Sequence, residues 1–245
     1  MKKKTISLIM ALCMSFLAIV PASAADVTAN STDLAAMSVA KEMLAQYPLA
    51  ERIEDAKSGK VDNAVEEDIR GAVTVSVSSG QKNMARTANT LTEDVVADVD
   101  YSIKNLGEVV VDGVYVGTLY SATGVQKTKT GSKELNDVNV EAYLTVVWID
   151  NTGYDNVLVE VSGGWNDRWG YYKENRRVSY SATDLDGIGD SDTKYPSGDS
   201  FTYDNINYHG LSISAASFID IDVSNPNSDP EMKTFRLSVS PTIFD

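Results

Sequence analysis

The sequence predicts a mainly β fold, an antiparallel β-sandwich preceded by one short N-terminal helix. From residue 69 onward, apolar and polar residues alternate with a period of two, which is typical of half-buried strands. Turn residues divide this region into about ten short segments. No helical pattern between them could serve as a crossover connection for parallel strands. These observations favour two packed antiparallel sheets over a parallel α/β fold.

Residues 1–24 contain the three parts of a secretory signal peptide. Three lysines follow Met1, a mostly apolar run covers 5–20, and Pro21-Ala22-Ser23-Ala24 ends in a small-x-small cleavage site. The apolar run is shorter than the ~20 residues needed to span a bilayer. We therefore expect cleavage after Ala24 and a secreted, extracellular bacterial protein whose mature chain has no membrane span.

Composition excludes several chemistries. Cys13 is the single cysteine and lies within the signal peptide, so the mature chain has neither disulfides nor thiol chemistry. His209 is the single histidine, which excludes histidine-clustered metal sites. The formal net charge is −14 and becomes −17 once the three signal-peptide lysines are removed. Such an acidic chain disfavours nucleic acid and anionic membranes as partners.

One amphipathic helix is predicted after the cleavage site. Ser31 or Thr32 caps it, and Pro48 interrupts it before a weaker continuation that ends at Ser58-Gly59. Its apolar residues recur at helical spacing, namely Leu34, Met37, Ala40, Leu44 and Tyr47. We assign 25–68 to a helical extension and linker, and 69–245 to one β-sandwich domain. Two placements are open for this helix: packed on the sandwich, or a mobile N-terminal extension.

Within the sandwich, Asp112-Gly113 between two β-branched runs predicts a tight hairpin. Asn105-Leu106-Gly107 is predicted to be a turn, and Gly163-Gly164 to be a strand end or bulge. The predicted strands are 72–78, 95–103, 108–111, 114–121, 138–149, 157–161, 177–182, 201–203, 211–223 and 234–239. The segment 95–103, followed by Asn105-Leu106-Gly107 and a valine strand, resembles immunoglobulin-like extracellular modules. That resemblance implies an immunoglobulin-like sandwich, with a jelly-roll-like arrangement as the other form.

An aromatic segment is the candidate ligand site. Aromatic planes flanked by amide, carboxylate and guanidinium groups suit sugar rings, which have apolar C–H faces and many hydroxyls. Because the segment follows Gly163-Gly164, we expect it on a loop. The alternative is that Trp148 and one of Trp165 and Trp169 fill the core. The candidate ligand-binding residues are Trp165, Asn166, Asp167, Arg168, Trp169, Tyr171 and Tyr172.

A second candidate is the acidic segment 184–192. It resembles the aspartate-rich loops of extracellular calcium-binding repeats, which implies calcium ligation by its carboxylates. It departs from the EF-hand pattern, because Tyr195 stands where that loop has a glutamate. A solvated turn between strands is the alternative, since Asp and Gly are common turn residues. The candidate calcium ligands are Asp184, Asp186, Asp190 and Asp192.

Enzyme motifs are missing from the sequence. There is no nucleophile elbow, phosphate-binding loop or dinucleotide fingerprint, and a catalytic triad would have to use His209. We therefore predict a secreted, non-catalytic β-sandwich protein that binds a glycan or another cell-surface ligand. The alternatives are a secreted carbohydrate-active hydrolase using two carboxylates, and a structural or interaction protein that docks through its N-terminal helix.

Overall fold

The computed structural model describes residues 24–60, 73–81, 99–127, 140–151, 156–167, 172–184, 186–222 and 232–241. Two helices, α1 and α2, precede ten strands in this part of the chain. Their bounds are α1 Ala24–Ala45, α2 Leu49–Lys57, β1 Val73–Gln81, β2 Val99–Val111, β3 Val114–Lys127, β4 Val140–Asp150, β5 Asn156–Asp167, β6 Lys173–Thr183, β7 Gly189–Lys194, β8 Ser200–Gly210, β9 Ser212–Asp222 and β10 Met232–Pro241.

The strands form two five-stranded sheets. Sheet 1 has the order β2-β3-β4-β5-β8, and sheet 2 has the order β1-β10-β9-β6-β7. Every pair of neighbouring strands is antiparallel. The predicted mainly β, antiparallel fold is therefore confirmed.

The main core lies between the two sheets. Leu144, Val146 and Trp148 of β4 point toward sheet 2, where they share one apolar cluster with residues such as Val178 and Ile219. The ring of Trp148 is fully buried and stacks on Tyr120 with centroids 5.6 Å apart. The intervening side chains of β4 are buried on the opposite face. Burial on both faces explains why β4 is almost continuously apolar in sequence.

The helices cover the outer face of sheet 1. Ala36, Met37, Ala40 and Leu44 of α1 pack against apolar residues of β2–β5. The described helix thus packs on the sandwich, although Leu34 of the predicted apolar set is 69% exposed. The buried sheet residues of this cluster are Val109, Leu119, Val147, Ile149 and Val159.

The helical region differs from the prediction in its start and its number of helices. There are two helices, because Pro48 separates them and serves as the N-cap of α2. The first helix begins at Ala24 and therefore before the predicted caps Ser31 and Thr32. The predicted end at Ser58-Gly59 is confirmed, since Ser58 is the C-cap and Gly59 has a φ of 63°.

The β2–β3 hairpin is confirmed, but the turn predicted just before it is wrong. Asp112 and Gly113 have φ values of 52° and 80°, as a two-residue hairpin turn requires. Asn105 and Gly107 instead flank a bulge within β2, because both remain paired with β3 around one extra residue. Gly107 adopts a φ of 116°, and its N–H donates to Asn105 Oδ1 at 2.8 Å.

Strand β7 was not predicted. Its sequence is Gly-Asp-Ser-Asp-Thr-Lys, and it pairs only with β6, at the edge of sheet 2. All its side chains are exposed or half-buried, so no apolar alternation marks it in the sequence. The predicted strand residues 72, 95–98, 138–139 and 223 lie outside the described residues.

Candidate functional site

A cleft of about 450 Å³ lies between α2 and one end of sheet 1. One wall comes from α2, and the opposite side comes from β4, β5 and the segment that enters β8. The lining residues are Ala50, Ile53, Glu54 and Lys57 from α2, and Glu141, Tyr143, Trp165, Asn166, Asp199 and Ser200 from the sheet side.

Two glycines of β5 allow the sheet side of the cleft to form. A Cβ atom on Gly163 would lie 2.5 Å from the carbonyl oxygen of Tyr143, and one on Gly164 would lie 2.6 Å from its Oη. Without those atoms, Tyr143 approaches β5 closely. The Trp165 N–H also donates to the Asp199 carbonyl at 2.8 Å. The predicted strand end at Gly163-Gly164 is wrong, because β5 continues to Asp167.

The alternation of β5 separates Trp165 from Asn166. Trp165 shares its face with Val161 and is 2% exposed, with its ring 5.4 Å from that of Phe201. Asn166 points to the opposite, helix-covered side of the sheet, where it is exposed beside its cross-strand neighbour Glu141. The packing alternative therefore holds for Trp165, while Asn166 contributes a free amide to the cleft.

The predicted aromatic segment is thus only partly in the cleft. Asp167 ends β5. Tyr172 is 66% exposed, and its hydroxyl donates to Glu174 at 3.5 Å, so it is not part of the cleft lining. The expected loop placement is wrong for Trp165, Asn166 and Asp167, which lie in a strand. The remaining residues of the prediction, Arg168, Trp169 and Tyr171, lie outside the described residues.

Ion pairs fix one wall of the cleft. Lys57 Nζ lies 3.0 Å from Glu141 Oε1 and 3.5 Å from Glu54 Oε1. The hydrogen bond with Glu141, followed by the charges of both acids, raises the pKa of Lys57. Lys57 therefore links α2 to β4 and remains a cation near neutral pH.

A second set of ion pairs fixes Asp199. Its Oδ2 atom accepts from Lys173 at 2.6 Å, and its Oδ1 accepts from Nε and Nη2 of Arg176 at 2.9 and 2.7 Å. Burial opposes ionisation of this carboxyl, but the hydrogen bonds with Lys173 and Arg176 outweigh it and lower its pKa. Asp199 is therefore a carboxylate that can accept hydrogen bonds but does not hold a proton near neutral pH.

Tyr143 provides an aromatic surface and a hydroxyl donor. Its side chain is half-buried, and burial, together with the charges of Glu141 and Asp199, raises the pKa of its phenol. The phenol thus stays protonated under physiological conditions. Near neutral pH the cleft offers a ring, a hydroxyl, an amide and several carboxylates.

The acidic segment forms a hairpin between β6 and β7. The Asp184 N–H donates to the Ile188 carbonyl at 2.8 Å, and the Ile188 N–H donates to Asp186 Oδ1 at 3.0 Å. Asp190 lies in β7. Asp192 also lies in β7 and forms an ion pair with Lys194 at 2.5 Å.

Calcium binding by this hairpin stays a prediction. Among the residues described by the structure, no group of three or more acidic, histidine or cysteine side chains could hold a metal ion. The test is the melting temperature after EDTA treatment and calcium addition. A rise at millimolar calcium supports ligation by Asp184, Asp186, Asp190 and Asp192, and an unchanged value ends the hypothesis.

His209 lies apart from the cleft lining. Its Nε2 atom is 3.6 Å from Asp33 Oδ2, so its partner in the described structure is a residue of α1. The sequence did not identify Glu54, Lys57, Glu141, Tyr143 and Asp199 as site residues. They come from three distant segments of the chain that meet only because α2 packs on sheet 1, a relation that no local motif encodes.

The fold and the cleft define a β-sandwich whose helix-covered sheet carries a cleft walled by α2 and lined by ion-paired carboxylates. Comparisons with family models, curated proteins and solved structures gave no match to this chain. Neither described helix has the length and apolarity to cross a membrane.

Proposed function

We propose that this is a secreted, non-catalytic protein that binds a glycan in the cleft between α2 and sheet 1. The supporting observation is the set of groups around Tyr143: an aromatic ring with Asn166 and ion-paired carboxylates beside it. A ring can stack on the C–H face of a sugar while fixed amide and carboxylate groups bind its hydroxyls. Because Lys57, Lys173 and Arg176 neutralise these carboxylates, the cleft favours a neutral sugar.

The charge state of the cleft favours binding over hydrolysis. A two-carboxylate hydrolase needs a general acid whose pKa is raised so that it holds a proton. In this cleft the pKa of Asp199 is lowered, and Glu141 is in an ion pair with Lys57. Docking of a partner through α1 also lacks support, because the apolar face of the described helix is already buried on sheet 1.

Secretion is the second part of the proposal and rests on the sequence of residues 1–24. Cleavage after Ala24 leaves intact the described α1 side chains that join the apolar cluster on sheet 1, the first of which is Ala36. N-terminal sequencing of the protein from the culture medium tests this point. We expect Ala25 as the first residue, and a cell-bound protein that retains residues 1–24 contradicts secretion.

Calorimetric titration with cellohexaose, xylohexaose and the hexamer of glucosamine tests glycan binding. For the sugar that binds, Asn166→Ala and Tyr143→Phe each remove one hydrogen-bonding group and should weaken affinity about fivefold to tenfold. Tyr172→Ala is the matched control, because this exposed tyrosine lies outside the cleft lining. Binding that survives both cleft changes but is lost in the control contradicts the proposed site.

A further inference from the structure

The outer face of sheet 1 changes from apolar to polar along its strands. Under α1 it buries Leu119 and other apolar residues. Ser121 and Thr123 follow Leu119 at two-residue intervals on β3 and therefore share its face. A sheet face covered by a helix normally buries apolar side chains. Here the buried residues beyond the α1 contact are mainly polar, namely Ser121, Thr123, Thr145, Glu160 and Ser162, with Val125 as an apolar residue on the same face of β3.

These polar side chains bond mainly within the sheet. The hydroxyls of Thr123 and Thr145 share a hydrogen bond of 2.8 Å, and Ser162 Oγ donates to Glu160 Oε1 at 2.9 Å. Ser121 is 2% exposed, and its Oγ has no hydrogen-bond partner among the described residues. Buried polar groups are almost always satisfied. The Ser121 hydroxyl is therefore available to a polar partner when this face is uncovered.

Helix α2 lies over this face, and ion pairs hold it there. Arg52 Nη1 lies 2.7 Å from Glu160 Oε1, and Lys57 binds Glu141. The buried residues of α2 are Arg52, Asp55 and Ala56, of which only the alanine is apolar. Exposed ion pairs stabilise little, and the desolvation of a buried pair offsets much of its attraction. Separation of α2 from the sheet therefore uncovers one fully buried apolar residue of the helix, Ala56, whereas separation of α1 would uncover four.

The two helices are also separable along the chain. The segment from Gln46 to Pro48 separates α1 from α2. Because α1 contributes Ala36, Met37, Ala40 and Leu44 to an apolar cluster, it has its own attachment to sheet 1. Local unfolding begins where few apolar contacts hold an element. We therefore expect α2 to leave the sheet while α1 stays in place.

We propose that the polar face of sheet 1 under α2 is a ligand-binding surface and that α2 is its removable cover. This inference rests on the proposed function and extends it, since the face adjoins the cleft through their shared wall, α2. Its hydroxyls and the Glu160 carboxylate can exchange hydrogen bonds with a polyhydroxylated ligand. With α2 open, the glycan keeps Tyr143 and Asn166 on the sheet side and exchanges the α2 wall for a row of contacts that includes the Oγ of Ser121.

Arg52→Met tests the cover. Without Arg52, Glu160 is buried without its cation when α2 is closed, and opening α2 hydrates the carboxylate. We expect hydrogen exchange of α2 amides to accelerate at least tenfold while α1 amides stay protected. The control Lys41→Met removes a cation from the exposed ion pair with Asp204 and should leave α2 exchange unchanged. Unchanged α2 exchange in Arg52→Met, or equal loss of protection in both helices, overturns the cover.

Titration of the three hexasaccharides into Arg52→Met and Ser121→Ala tests the surface. If the ligand binds only when α2 has left the sheet, its apparent affinity is proportional to the fraction of molecules in that open state. Because Arg52→Met raises this fraction, the variant should bind about tenfold more tightly than wild type. Ser121→Ala removes a hydroxyl that has no partner in the closed structure. It should therefore keep the wild-type melting temperature but bind about fivefold more weakly.

The same titrations distinguish binding in the cleft from binding on the covered face of sheet 1. If Asn166→Ala weakens binding but Ser121→Ala does not, the cleft binds glycan and the covered face is not a binding surface. If neither wild type nor Arg52→Met binds any of the three sugars, the proposed function is wrong and the inference fails with it. Should Arg52→Met not fold, the Ser121→Ala titration decides alone, because that change leaves the closed contacts of α2 intact.

Discussion

Replacement of Gly164 by alanine tests how the sheet side of the cleft is built. The added Cβ would lie 2.5 Å from the Asp199 carbonyl oxygen and 2.6 Å from Tyr143 Oη. The first atom belongs to the backbone, and its residue is held by the Trp165 N–H and by two cationic side chains. The second belongs to a half-buried ring. Neither neighbour can move without breaking contacts of the cleft.

The expected loss of stability follows from this geometry. Overpacking in a well-packed region destabilises by about 1 to 3 kcal/mol. Because the new methyl meets both a fixed carbonyl and a ring, we expect about 3 kcal/mol for Gly164→Ala. For a domain of this size, that corresponds to a melting temperature lower by about 6 to 12 °C. The displaced Tyr143 ring should also weaken glycan binding.

Urea denaturation followed by near-ultraviolet circular dichroism measures this loss. Gly198→Ala is the matched control, since its added Cβ would come no closer than 4.0 Å to another atom, the Ser200 carbonyl oxygen. That variant should stay within about 0.5 kcal/mol of wild type. If Gly164→Ala is as stable as Gly198→Ala, the close approach of β5 to Tyr143 and Asp199 is refuted.

Three further predictions concern the core, the ion pairs and the hairpin. Trp165→Ala should lower the free energy of unfolding by about 3 to 5 kcal/mol, whereas Tyr172→Ala should change it by less than about 0.5 kcal/mol in the same urea titration. The pKa of Asp199 is lower in the folded protein than in the unfolded chain, where it is near 4. The ionised carboxylate therefore stabilises the fold at pH values above about 4, and this stabilisation is lost as the pH falls through the folded-state pKa. Urea midpoints of wild type should therefore fall more steeply below about pH 4 than those of Asp199→Asn, and equal slopes contradict the assignment. In Gly113→Ala the new Cβ would meet no atom within 4 Å, but residue 113 has a φ of 80°, which is unfavourable for alanine. Backbone strain alone should therefore destabilise this variant by about 1 to 2 kcal/mol, as measured by thermal unfolding.

Local signals in the sequence predicted the elements that depend on local structure. The Asp112-Gly113 turn requires two positive φ values, which those residues adopt readily, and it was predicted correctly. Pro48 and Ser58-Gly59 likewise mark the bounds of α2. The antiparallel fold followed from two-residue alternation, because a strand that buries one face and exposes the other alternates apolar and polar residues.

Features that depend on distant partners could not be predicted. The bulge at Asn105 to Gly107 resembles a turn in sequence, and only continued pairing with β3 distinguishes the two. The acidic strand β7 gains its structure from β6 rather than from an apolar face of its own. Trp165 and Asn166 differ in role because of the register of β5, which a one-residue shift would reverse.

Hydroxyl-radical footprinting of the tyrosines tests the central claim, that the cleft between α2 and sheet 1 is the ligand site. The measurement compares side-chain oxidation of the full chain with and without the hexasaccharide that binds. We expect the sugar to protect Tyr143, which lines the cleft, and to leave the oxidation rate of Tyr172, outside the cleft, unchanged. Protection of Tyr172 with no change at Tyr143 would contradict this claim.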